Sequence, residues 1–155
     1  MRARHEWIGY TPGGGGAAPA VPRPMLPVVL QNGSMRIQAV GLVDSGSDNS
    51  VLPPDLASRL DLQPRVPSGE VETLGGDVPV GKVRADLRVA LISGPLVLPS
   101  APFLVPLVGN RPRLVILGRV PLFEEAQVTF QDWRERFAVA RRRLPRGSTV
   151  AIAHG

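Results

Sequence analysis

The sequence predicts an all-β domain with one or two short helices. Three observations lead to this. Seventeen glycines and 17 prolines among 155 residues leave little room for long helices. Short apolar or alternating segments recur between turn residues, as strands do. Only 5% of residues are aromatic while 43% are hydrophobic, so the core must be built from Val, Leu, Ile and Ala.

Taken in order, residues 1–24 form a Gly/Pro-rich arm, expected to be flexible around Gly13–Gly16 and stiffened by Pro19, Pro22 and Pro24. Trp7, Ile8 and Tyr10 could still add a strand to a sheet edge. The domain proper, residues 25–140, opens with Val28–Leu30 and Met35–Val40 joined by Gln31-Asn32-Gly33-Ser34; Asn-Gly is a strong hairpin signal. Leu42 and Val43 extend the second strand. Pro53 and Pro54 then open a helix over Asp55–Leu60, with Asp55 at its positive end. Val66–Leu74 and Val78–Leu87 alternate around Gly75-Gly76-Asp77 and read as a second hairpin. Val89–Ile92, Leu96–Leu98 and Phe103–Val108 read as separate short strands, Leu114–Leu117 as a buried one, and Pro121–Ala126 as one or two helical turns. Gln127–Phe130 and Phe137–Ala140 pair across Asp132-Trp133-Arg134. Residues 141–155 form a basic tail, expected to be disordered.

Composition excludes several functions. The net charge of +5 comes from 18 basic residues of which only Lys82 is lysine. Arginines cluster late in the chain, without aromatic interleaving or metal-ligand spacing, so no nucleic-acid partner is expected. There is no cysteine, which rules out disulfides and thiolate chemistry. Residues 89–110 are uncharged, but Pro95, Pro99, Pro102 and Pro106 recur too often for a membrane-spanning helix. The N-terminus is charged with no apolar stretch behind it, so the expectation is a cytoplasmic protein without a membrane span.

The stretch that carries chemistry is Val40–Pro53. An apolar run delivers Asp44 into a Ser45-Gly46 turn, and Val51 and Leu52 follow. Taken alone, the tripeptide suits an Asx-type turn. A glycine-tipped hairpin follows about thirty residues later, and Ile116-Leu117-Gly118 precedes Arg119. A calcium loop starting at Asp44 fails, because Gly46 and Asn49 stand where a ligand and a glycine are needed. His5 and His154 lie at opposite ends, and Gly13–Gly16 lacks the Lys-Ser/Thr of a phosphate loop.

Across residues 23–140 this order resembles the retropepsin-like aspartic proteases, single-lobe relatives of pepsin found in retroviruses and, as short chains, in bacteria. Asp44-Ser45-Gly46 matches their first signature and the segment continues through Leu52; Ile116-Leu117-Gly118-Arg119 matches the second. Val120 departs from the Asn or Asp common in retroviral members, and the chain before Ile116 is longer. The resemblance implies a closed, barrel-like sheet with a flap hairpin. It implies no cofactor and no metal. Asp44 would be catalytic, with Ser45 tying active-site loops together and Gly46 admitting substrate backbone. Asp48 would contact substrate and pair with Arg119, and Leu74, Gly75, Gly76 and Asp77 would form the flap. Leu42, Val51 and residues 106–108 are candidate pocket walls. Since the chain has one Asp-Ser-Gly, the second aspartate must come from an identical subunit, and the substrate would be a polypeptide. The competing expectation is a dimeric peptide-binding or scaffold domain without turnover.

Overall fold

The computed structural model describes residues 6–12, 21–64, 69–73, 76–108 and 114–142. Three short strands come first: β1 (Trp7–Gly9), β2 (Thr11–Pro12) and β3 (Pro22–Arg23). The first long hairpin is β4 (Met25–Asn32) with β5 (Met35–Val43), followed by helix α1 (Pro54–Arg59). Then come β6 (Gly69–Thr73), β7 (Gly76–Val89), β8 (Leu96–Pro106) and β9 (Val115–Leu117). Helix α2 (Leu122–Glu125) leads into β10 (Ala126–Gln131), a single 3-10 turn (Asp132–Arg134) and β11 (Arg136–Arg141). The protein is mostly β with two short helices, and no helix among the described residues is long and apolar enough to cross a membrane.

The Asn-Gly signal sits where a hairpin forms. Asn32 pairs with Met35, and Gly33 takes a φ of +59°, a left-handed conformation that glycine adopts without steric cost. Asn32 also donates its side-chain N–H to the Leu60 carbonyl at 2.9 Å, tying the hairpin tip to the end of α1. Alternation along β4 sends Leu26, Val28 and Leu30 inward; on β5 Ile37 and Val43 do the same.

The main sheet runs β6-β7-β4-β5-β9, with β8 on the other side of β7. Two isolated bridges join its ends. Val51 exchanges backbone bonds with Ile116 next to β9, both at 2.9 Å. Leu52 N–H donates to the Leu104 carbonyl and Leu104 N–H to Ser50, again at 2.9 Å. The hydrogen-bonded path therefore returns from β9 through residues 50–52 to β8 and β7. The enclosed core is mostly aliphatic, with Leu26, Leu30, Leu52, Leu87 and Leu117 essentially without exposure beside the aromatic Phe103.

One stretch is more continuous than its prolines suggest. The two short strands expected at Leu96–Leu98 and Phe103–Val108 are one strand, β8. Pro99 falls where the register with β7 shifts between Ala85 and Leu87. There side chains replace ladder bonds: Ser100 N–H donates to Asp86 Oδ1 at 2.8 Å, and Arg84 Nη1 donates to the Ser100 carbonyl at 2.9 Å. A proline at a bulge removes no ladder bond, so the strand survives it.

A second sheet, β1-β11-β10, is built from the two ends of the described chain. Trp7 pairs with Ala138, so the residues that suggested an edge strand do form one. Arg136 places its guanidinium 4.4 Å from the Trp7 ring centroid. Phe137 is fully buried between Tyr10 and Phe130, at ring-centroid distances of 6.0 and 6.3 Å. Of the expected arm, residues 13–20 lie outside the described residues, as does the tail beyond Arg142.

Phe137 anchors this second sheet. Phe137→Ala is expected to lower the unfolding free energy by about 3–5 kcal/mol, read from denaturant titration at fixed protein concentration.

Candidate active site

The site begins where β5 ends. Val43 N–H donates to the Pro24 carbonyl at 2.9 Å, and Asp44 N–H donates to the Leu117 carbonyl at 3.0 Å. The strand is thus held from both sides up to the acid. Asp44 Oδ1 then accepts the Gly46 N–H at 2.9 Å, and Ser47 N–H turns back to the Asp44 carbonyl at 3.3 Å. This is the Asx turn that the tripeptide allows on its own. Asp44 is half-buried, and Ser45 and Gly46 are exposed. The Ser45 hydroxyl makes no hydrogen bond to another described residue, leaving it available to a group outside this chain.

Beyond the turn, residues 47–50 lie along residues 118–120. Arg119 N–H donates to the Ser47 carbonyl at 2.8 Å, Val120 N–H to Asp48 at 3.0 Å, and Ser50 N–H to Val120 at 3.1 Å. Ser50, only 1% exposed, closes the arrangement with its side chain. Its Oγ donates to the Val120 carbonyl at 2.7 Å and accepts the Gly118 N–H at 3.1 Å. The packing is so close that a Cβ at position 118 would lie 2.2 Å from the Asn49 carbonyl oxygen and 2.7 Å from that of Ser47. Both contacts are backbone, so only glycine fits. Ile116 and Leu117 support the turn from below, Ile116 through its bonds to Val51 and Leu117 as a fully buried side chain.

Asp48 and Arg119 meet, with Oδ1 and Nη1 3.6 Å apart. Their side chains are 84% and 66% exposed. A pair so open to water contributes at most a small stabilisation. It sets two opposite charges side by side on the surface.

Asp44 opens into a cleft of about 340 Å³ whose other walls come from distant parts of the chain. Val43, Pro22 and Pro24 line one part, and Tyr10, Phe130 and Asp132 another. The Tyr10 hydroxyl donates to Asp132 Oδ1. Burial of the phenol, that hydrogen bond and the Asp132 charge together push the Tyr10 pKa up to about 12. Tyr10 and Asp132 carried no mark in the sequence as site residues. They are 122 positions apart, and only the pairing of β1 with β11 brings them together. Ser50 was visible only as part of the segment after Asp44.

A larger cleft of about 720 Å³, with Asn49, Ser50, Val120, Lys82 and Phe103 in its lining, lies away from Asp44 and contains no candidate acid. Leu42, Val51 and residues 106–108 line neither cleft. On the hairpin, Gly76 pairs with Thr73, and Asp77 stands opposite Glu72. Neither residue lines the cleft beside Asp44, and Leu74 and Gly75 lie outside the described residues. Among the described residues, no three His, Cys, Asp or Glu side chains gather as a metal site would require.

Ser50→Ala would leave the buried Gly118 N–H without its acceptor and is expected to destabilise the protein by about 1–3 kcal/mol, measured by chemical denaturation. Tyr10 is the sole tyrosine, so its phenolate absorbance reports it directly. The absorbance is expected to rise with a midpoint near 12 in the folded protein against the ordinary 10.0 when unfolded. Because the folded value is the higher one, this group's stabilisation is complete below pH 10 and falls away between about 10 and 12. Tyr10→Phe should remove that part of the loss, and Asp132→Asn should move the midpoint back toward 10.0.

The Asp44 turn falls within a recognised sequence family, whereas Tyr10, Pro22, Pro24, Phe130 and Asp132 lie outside the matched span. Residues 27–119 match the family model described as aspartyl protease, a span that includes Asp44–Gly46 and closes on Arg119. No curated protein gave a significant match to the chain. Among solved structures, the chain is similar to EIAV protease complexed with the inhibitor HBY-793. The two are 22% identical, the match covers 63% of this chain and 82% of that one, and the TM-score is 0.43. The family match takes in more than half of the sequence and both segments that build the Asp44 turn, and the chain belongs to the aspartyl protease family.

Proposed function

We propose that this protein is an aspartic endopeptidase whose active site forms between two identical subunits, each supplying one Asp44. The observation that carries this reading is the fixed position of Asp44. A half-buried carboxylate stands at the mouth of a cleft, on a turn whose backbone is bonded to Leu117 on one side and to residues 118–120 on the other. That is the rigidity a general acid–base group needs. The sequence holds one Asp-Ser-Gly, so one chain offers half of a dyad.

In the paired site, two carboxylates within hydrogen-bonding distance share one proton, since both cannot ionise side by side. The ionised member takes a proton from water as the water attacks the scissile carbonyl. The protonated member donates to the carbonyl oxygen, and the tetrahedral intermediate collapses with proton transfer to the leaving amine. Ser45, whose hydroxyl makes no bond to another described residue, would bond the partner's turn. Gly46 presents no side chain to an approaching peptide, and Asp48 would meet substrate backbone at the rim with Arg119 beside it. The hairpin of β6 and β7, in which Thr73 pairs with Gly76, would cover bound peptide and exclude water, with Leu74, Gly75, Gly76 and Asp77 as the flap.

Incubation with a proteome-derived peptide library tests this reading. The unmodified chain is expected to cleave peptides, with activity per chain falling on dilution as dimer dissociates. Asp44→Asn should lower cleavage by at least about a hundredfold while sedimentation and thermal unfolding stay unchanged. Peptide binding by both forms with cleavage by neither would instead identify a binding domain.

A further inference from the structure

Asp132 is an acid with an open side in the Asp44 cleft. Its Oδ1 accepts the Tyr10 hydroxyl, while its other oxygen has no partner among the described residues. Asp132 is exposed, and two arginines lie close by in sequence. Arg136 is engaged elsewhere, donating its Nε–H to Gln131 Oε1 at 2.7 Å and lying over Trp7. Arg134 forms no ion pair with Asp132 either, since Asp48 with Arg119 is the one salt bridge among the described residues. Tying β1 to the 3-10 turn needs only the oxygen that Tyr10 uses. The second oxygen faces solvent and is open to a group that enters the cleft.

We infer that Asp132, oriented by Tyr10, makes this cleft select a substrate segment carrying an arginine or lysine side chain next to the scissile bond. The inference rests on the peptidase reading above for the word substrate, and on the cleft's own chemistry for the preference. Val43, Pro22, Pro24 and Phe130 give the cleft that holds Asp44 and Asp132 an apolar part. An arginine or lysine side chain has the matching form: an aliphatic stem for the apolar wall and a charged head for the carboxylate at its end. The Tyr10 ring adds an aromatic face beside the same carboxylate, a further attraction for a guanidinium. A purely apolar side chain would cover Asp132 without satisfying it, which costs free energy. An acidic one would meet two carboxylates of its own sign, Asp44 and Asp132.

The test uses the full-length Asp44→Asn protein, so that Asp132 is the cleft's remaining carboxylate and binding is read without turnover. Two fluorescent peptide libraries are compared, identical except that every arginine in one is citrulline in the other, which keeps the shape and removes the charge. The arginine set is expected to bind about three- to tenfold more tightly. Adding Asp132→Asn should erase the difference, and Asp132→Lys should shift preference to a glutamate-containing set. Equal binding of the two sets, or no binding of either, overturns the inference. So does an arginine preference that survives Asp132→Asn in protein with an unchanged thermal transition. A loss of dimer on Asp132→Asn with arginine preference intact would assign the acid to the subunit contact instead and also overturns it. Cleavage by the unmodified chain is scored separately. Arginine preference without cleavage defeats the peptidase reading alone, and cleavage without preference defeats this inference alone.

Discussion

The Ser50 hydroxyl is the interaction on which the rest depends. It is the one polar side chain buried in the described core, and from the segment after Asp44 it bonds Gly118 and Val120 on the segment after β9. Without it, the buried Gly118 N–H would have no acceptor. With it, two loops far apart in sequence become one rigid unit. The immediate neighbours of this unit, Val51 and Leu52, carry the hydrogen bonds that join β9 to β8 and complete the path around the core. Fixing Asp44 and closing the sheet are therefore one event.

Magnitudes separate this contact from the more conspicuous one beside it. Asp48 and Arg119 carry full charges, yet water surrounds both and screens their attraction. Ser50 carries none, but its loss would leave a buried donor unsatisfied, which costs more than an exposed ion pair returns. The neutral hydroxyl holds the site; the charged pair lies on the surface beside it.

Much of this was legible in the sequence because it is local. The Asn32-Gly33 turn, the prolines opening α1, the apolar approach to Asp44 and the hairpin around Asp132–Arg134 each depend on neighbouring residues, and each stands where the sequence placed it. The Asp44 turn and the Ile116–Arg119 segment were visible through spacing and resemblance, including the approach of Asp48 to Arg119. What could not be read was set by pairing across the chain. β8 runs unbroken past Pro99 because Arg84 and Asp86 on another strand take over the missing bonds. Tyr10 and Asp132 look unremarkable until two sheet edges meet.

That last pairing has a consequence in time. β1 leaves the ribosome long before β11, the strand with which it pairs. Contacts of such long sequence separation form late, because their loop-closure entropy must be met before they return any stabilisation. The turn bearing Asp44 and its Ser50–Gly118 contact involve the middle of the chain and can assemble earlier. Asp44 is thus set in place while its cleft still lacks the Tyr10 and Asp132 wall.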